Sequence, residues 1–350
     1  MKYKVTPMST ALAVALALST SLSTVHAAEA PAGHAGKPFA AAPEIAPIGV
    51  RLDKYLDLPD GAKGPPLDQA KGYRLETLGR GLYMITDNMY QSMFLVYESG
   101  VVVIDVPTSY VGKIKQAIAE VTKLPITHIV YSHSHTDHIG GAGELGGKPI
   151  IIAQEETKRL LERDADPARP LPTLVFKTAH TLKVGSQVLE LSYHGNGHEP
   201  GNIFIYAPEQ KTLMVVDVVF PGWMPFRRFA VAQDVPGYFA QVRAIDAVPF
   251  TKLVSGHVTR LGTHDDVKTQ IEFNEDVKAA AAKALKSLQL IDGLNPADEA
   301  NLWAKFGDFT ARVAAQCVNE VTPKWRNRLG GFDVFIWDQC YAMEQSLRID

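Results

Sequence analysis

Short apolar runs separated by glycine-containing turns fill the stretch from residue 73 to residue 106. Residues 83–86, 93–97 and 101–104 are rich in Val, Ile, Phe and Met, the pattern of strands buried in a sheet. The period then changes. Ile114, Ile118 and Val121 fall on one face of a helix predicted over 111–121. Residues 126–131 and 150–153 predict two more strands, the second running into a helix through Leu161. Pro167, Pro170 and Pro172 then break regular structure. Val184-Gly185 and residues 188–191 read as a hairpin, and apolar runs recur at 213–216 and 252–254. Strands and helices alternate twice, which predicts the α/β class and a duplicated sandwich. From about Asp266 the spacing is helical: residues 267–288 carry Ala279 to Ala282, residues 295–298 give a helix start that runs toward Val321, and a last helix is predicted near 335–347. No repeat of about 20–50 residues is present.

The start of the chain reads differently. Lys2 and Lys4 precede an apolar stretch at 11–18 and a small-residue segment ending near Ala27. That order predicts a bacterial signal peptide cleaved near Ala27, and hence a periplasmic or secreted protein. The apolar stretch is shorter than the roughly 20 residues a membrane helix needs, so no membrane anchor is expected after cleavage. Residues 28–48, rich in Ala, Pro and Gly, predict a flexible lead-in. With 350 residues, 46% of them hydrophobic, the chain can bury one large core or two ordinary ones. A net charge of −3 without a long basic run excludes nucleic-acid binding through a broad basic surface. Cys317 and Cys340 are the two cysteines. In an exported chain they predict one disulfide, two buried thiols being the other reading.

Candidate chemistry gathers after the strand at 126–131, in His133-Ser134-His135-Thr136-Asp137-His138. Three imidazoles and a carboxylate leaving a strand end in a tight loop suit zinc and similar divalent ions. His198 follows Gly197, Asp217 ends the run at 213–216, and His257 follows Gly256. Each stands at or just past a strand-like segment, so all can converge on one sheet edge.

Taken together, these residues resemble the metallo-β-lactamase superfamily over about residues 72–265, with Asp105 similar to its structural strand-end Asp. The resemblance implies a four-layer αβ/βα sandwich, here with a C-terminal helical appendix. With the leader, lead-in and helical spacing read above, the chain divides into 1–27, 28–48, a metallo-β-lactamase-fold domain at 49–265 and a helical extension at 266–350. The resemblance also implies two divalent ions, zinc by type. His133, His135 and His198 would hold the first and Asp137, His138 and His257 the second, with Asp217 bridging them and Asp137 also orienting the attacking water. The implied function is an exported zinc-dependent hydrolase of a small-molecule ester, lactone or thioester. A bridging Asp is similar to glyoxalase II-like and lactonase-like members, whereas zinc β-lactamases usually carry Cys or Ser there. A β-lactamase and an iron-dependent sulfur dioxygenase stay open as alternatives.

On the substrate side, Phe220, Trp223 and Phe226 read as an apolar wall. Arg227 would meet a substrate carboxylate, and Tyr90 would form a second rim. The other reading is that the segment packs the appendix against the core. Phe220 stands where lactonase-like members carry a Tyr. His128, His180, His194 and His264 fall off the ligand pattern; for His194 and His264 a contact to a ligand is the other reading.

Overall fold

A computed structural model describes residue 45, residues 51–290 and residues 300–350. The predicted leader, nearly all of the lead-in and the helix start at 295–298 lie outside the described residues. Seven strands form the first sheet in chain order: β1 (Arg74–Gly79), β2 (Leu82–Thr86), β3 (Gln91–Tyr97), β4 (Gly100–Ile104), β5 (Ile126–Val130), β6 (Ile150–Gln154) and β7 (Leu174–Phe176). It is antiparallel through β4 and parallel from there on. Helices α1 (Val111–Val121), α2 (Thr136–Ile139) and α3 (Glu155–Asp164) lie in the parallel crossovers. The second sheet holds β8 (Ala179–Val184), β9 (Gln187–Tyr193), β10 (Ile203–Ala207), β11 (Thr212–Met214) and β12 (Lys252–Val254), with β12 parallel to β11 and the rest antiparallel.

Burial on both faces explains why the strands read as continuous apolar runs. Met93, Leu95, Val102 and Ile104 point one way and meet Leu189, Leu191, Ile203 and Met214 of the second sheet. Phe94, Val101 and Val103 point the other way, onto Ile114 and Ile118 of α1. The outer face of the second sheet, with Phe204, Leu213 and Leu253, is covered by helices. These are α4 (Arg227–Val231), α5 (Val235–Asp246), α6 (His264–Ser287), α7 (Leu302–Trp325) and α8 (Phe332–Ile349). The layers are therefore helices, sheet, sheet, helices, the α/β sandwich the sequence predicts.

The C-terminal helices are part of this outer layer. Val267, Phe273, Val318, Trp325 and Ile336 share one buried cluster with Leu213 and Leu253. A Cys317–Cys340 disulfide ties α7 to α8. One strand is shorter than its apolar run: β11 ends at Met214, and residues 215–217 follow β12 through Val215 N–H to Val254 O at 3.1 Å and Asp217 N–H to Ser255 O at 3.2 Å.

Candidate metal centre

The centre is built where strands of both sheets end. At the end of β4, Asp105 is fully buried and accepts from Ser132 N–H at 2.8 Å and Ser132 Oγ–H at 2.6 Å. Burial pushes its carboxyl up to about 6, and the nearby His138 and the Ser132 bonds restrain the rise. Ser132 has one hydroxyl proton and gives it to Asp105, so at 2.8 Å it accepts from His133 Nδ1–H. That tautomer leaves the lone pair of His133 on Nε2, facing the cluster.

The same logic recurs at three more histidines. His198 Nδ1–H donates to Ala230 O at 2.7 Å. His257 Nδ1–H donates to Met89 O at 2.9 Å. His135 lies with Nε2 3.2 Å from Glu199 Oε1 and Nδ1 3.1 Å from His198 Nε2. Each outer nitrogen is engaged, and each inner nitrogen carries a lone pair inward. The single turn of α2 brings Asp137 and His138 to the same place. Gly256 (φ +82°) precedes His257, and a Cβ there would meet Val216 at 2.5 Å, which explains the Gly-His pair.

Asp217 joins the two groups. Its Oδ2 lies 3.2 Å from His198 Nε2, 3.3 Å from His138 Nε2 and 3.6 Å from His133 Nε2, while Oδ1 is 3.0 Å from His257 Nε2. The ligand atoms of His133, His135, His198 and Asp217 lie within 4.8 Å of one another, and so do those of Asp137, His138 and His257. Within this cluster His133 Nε2 and Asp217 Oδ1 are buried without a hydrogen bond, and His138 Nε2 and His257 Nε2 stand 3.0 Å apart. Buried lone pairs pointed at each other are costly unless a cation sits among them. Imidazole nitrogens and carboxylate oxygens, with no thiolate, fit divalent ions of the zinc type.

Charge within the metal-free cluster follows the same geometry. Burial drives the His133 imidazole far below its usual range, and the neighbouring imidazoles add to this. At His138 burial also pulls downward, but Asp217, Asp137 and Asp105 outweigh it and hold the ring up at about 9. Burial opposes ionisation of Asp217, yet His138, His257 and His198 keep its carboxyl well below the usual range. The cluster thus stores a proton where a cation would bind.

A cleft of about 600 Å³ opens over these ligands. Tyr90 lies at its rim, its ring 4.8 Å from His257 and 5.6 Å from His138. Phe220 stacks on His257 at 6.2 Å, and Trp223 and Phe226 line the wall beyond. Both readings of this segment meet in the structure, since Phe226 also contacts Phe335 of α8 at 5.2 Å. Arg227 is not among the lining residues; its guanidinium pairs with Asp338 at 3.1 Å. His194 stacks on Phe204, His264 bonds Asp246, His180 stacks on Phe176 and His128 meets Thr127, all outside the two ligand groups.

Glu199 was not singled out from the sequence. It is buried, accepts from Ser134 N–H and Oγ–H at 2.9 Å each, and faces His135. Burial would raise its carboxyl, but His135 and Ser134 bring it below its usual value. The available signal was a charged residue directly beside the ligand His198. Arg169, in the proline-rich loop, donates to Ser134 O at 2.7 Å and secures the same loop.

Residues 85–261, just over half of the chain, match a family model described as the metallo-beta-lactamase superfamily. The 2,4-dinitroanisole O-demethylase subunit alpha of Nocardioides sp. (strain JS1661) is 27% identical over 181 residues, 45% of this chain and 55% of that protein. Metallo-beta-lactamase IND-1 of Chryseobacterium indologenes is 27% identical over 125 residues, 35% of this chain and 51% of that protein. The chain therefore spans about half the length of these curated relatives. Among solved structures, a metallo-beta-lactamase from Pontibacter korlensis matches with a TM-score of 0.50 at 20% identity, covering 57% of this chain and 97% of that one, a likeness of fold.

Proposed function

The chain belongs to the metallo-beta-lactamase superfamily, and from that premise we propose that it is a metal-dependent hydrolase. On this reading it holds two divalent ions, zinc by ligand type, and cleaves an ester, lactone or thioester after export. The observation that carries the reading is Asp217, whose carboxylate stands between two groups of ligands that contain no thiolate. His133, His135 and His198 with Asp217 would hold one ion, and Asp137, His138 and His257 with Asp217 the other. When bound, such ions supply an acidified water and positive charge for the substrate oxygen.

The chain's own groups do the rest. Asp137 keeps its carboxylate half exposed toward the cleft. It orients the attacking water, takes its proton and returns it to the departing alkoxide or thiolate. Burial, followed by the charges of Asp137, Asp217 and Asp87, raises the Tyr90 phenol, so it stays protonated and can donate to oxygen charge that develops at the acyl carbon. Phe220, Trp223 and Phe226 exclude water from the wall.

Elemental analysis of the mature protein, before any metal is added, is the first test, followed by a panel of esters, lactones and thioesters. About two zinc ions per chain with turnover of a panel member is the expected result. The panel should also carry a carbapenem, a chromogenic cephalosporin and 2,4-dinitroanisole, the last because of the relative's name. Two bound metals with no acyl turnover would sink the substrate class. One iron per chain with oxygen uptake on a sulfur substrate would replace the hydrolase with a dioxygenase.

A further inference from the structure

Resting on the hydrolase reading, we propose that the substrate is electrically neutral in the part that lies along the cleft and carries an alkyl or aryl group there. The wall beyond the ligands is made by Met89, Trp223, Met224, Phe226, Val231 and Phe335. Met89, Phe226 and Val231 are 65%, 48% and 44% exposed, so several large apolar side chains face solvent around one opening. Grouped exposure of this kind marks a binding surface, whereas scattered apolar residues do not.

Among the described residues, no Lys or Arg lines the cleft. The nearest arginine in sequence, Arg227, is committed to Asp338, which is buried to 1% exposure and has no hydrogen bond to replace the ion pair. Swinging Arg227 toward a substrate carboxylate would take away that buried charge's ion-pair partner and leave it only the weaker influence of Arg228. Several polar atoms of the lining are also engaged, Asn88 Oδ1 among them, which accepts from Arg74 Nη1–H at 3.0 Å. Trp223 Nε1–H donates to Ala62 O at 2.8 Å, so the indole offers ring surface to the cleft. Phe226 O accepts from Ala230 N–H at 2.7 Å and from Gln339 Nε2–H at 3.1 Å. Met89 O and Ala230 O are taken by His257 and His198. A carboxylate placed against this wall would lose water and gain no Lys or Arg among the described residues, while an apolar group would lose only its hydration.

The test uses the metal-loaded, full-length protein and p-nitrophenyl esters of two series. One runs from acetate through butanoate and hexanoate to octanoate. The other carries a distal carboxylate at matched length, as in mono-p-nitrophenyl suberate. The expected kcat/KM rises by up to about fourfold per methylene, and the distal carboxylate costs at least about tenfold. Val231→Lys, which places a cation on the wall, should narrow or reverse that gap, and Phe335→Ser should flatten the chain-length dependence. Nile red, a neutral apolar dye, should bind the unaltered protein and be displaced by the octanoate ester's amide analogue.

A flat series, or a preference for the carboxylated ester in the unaltered protein, overturns the proposal while leaving hydrolysis intact. Dye binding and displacement without hydrolysis of any ester would keep the neutral cleft and remove the hydrolase reading. Absence of displaceable dye binding counts against the proposal even where the Phe335→Ser variant fails to fold.

Discussion

Asp217 is the residue where backbone cost and chemistry meet. Its φ of +64° lies in the left-handed region, where a residue with a Cβ costs about 1–3 kcal/mol. Asn tolerates that region well, so Asp217→Asn should keep the turn and remove only the charge. The expected outcome is loss of the second metal and a fall in ester kcat of about a hundredfold or more, with unchanged circular dichroism. Retention of two metals and full turnover would contradict a bridging role. His138 yields a prediction for the chelated, metal-free protein. Its imidazole is held up at about 9, above its unfolded value, because Asp217, Asp137 and Asp105 outweigh burial. Its contribution to stability is therefore complete below the unfolded value of about 6.5 and is lost as pH rises through about 9. The melting temperature of the metal-free protein should fall across that interval, and zinc, which takes the proton's place, should remove the slope. The ligands themselves were legible in the sequence, because imidazoles and carboxylates cluster at or a few residues past strand-like runs. The groups that orient them were not. Ala230 O and Met89 O lie 32 and 168 residues from the histidines they hold, and any residue type has a carbonyl.

At the scale of elements, α4 is the piece that no local rule predicts. Arg228, Phe229, Ala230 and Val231 have φ of +54°, +53°, +58° and +50°, one left-handed turn containing neither Gly nor Asn. Each such residue costs about 1–2 kcal/mol, so other parts of the fold must impose the turn. Gln339 of α8 does so: its Oε1 accepts from Phe229 N–H at 2.6 Å, and its Nε2 donates to Pro225 O at 2.7 Å and Phe226 O at 3.1 Å. The turn carries Ala230 O, which sets the tautomer of His198. Gln339 is thus a positioning residue for a metal ligand one further step away. Gln339→Ala should weaken zinc binding at the His133–His135–His198 group by about tenfold or more, as loss of a ligand's supporting bond does. Competition against a chromogenic chelator reads this directly, and Gln339→Glu should not restore it, because a carboxylate has no N–H to give to the two carbonyls. Unchanged affinity in the alanine variant would make the contact merely structural. By contrast, the spacing of Ile114, Ile118 and Val121 was enough to bound α1 at Val111–Val121, because an amphipathic face is a local signal. The run at 213–216 overstated its strand for the opposite reason: Val215 and Val216 are buried and the backbone still bonds to Val254 and Ser255, but the pairing with β10 ends at Met214, short of Asp217.

At the scale of the whole molecule, the C-terminal helices bear on the site as well as on stability. The helical spacing after residue 266 was legible, but not its use, because the buried cluster joins Val318 and Ile336 to Leu213 across more than a hundred residues. Phe335 and Gln339 place α8 against the cleft wall and against the turn that holds His198. The Cys317–Cys340 bond closes a loop with a sequence separation of 23 and holds α7 to α8. By the loop-closure argument its removal destabilises the fold by about 3 kcal/mol, on the order of 5 °C or more in melting temperature for a domain of this size. A Cys317→Ala/Cys340→Ala double variant, melted beside the unaltered protein with and without reductant, checks this. The unaltered protein should fall to the variant's value on reduction, and the variant should not respond. Because α8 also carries the clamp and one wall of the cleft, zinc affinity and turnover of the longest ester should decline in the variant well below its melting temperature. If stability falls while both of those stay level, the last helix holds its place through packing alone and the disulfide serves only the fold.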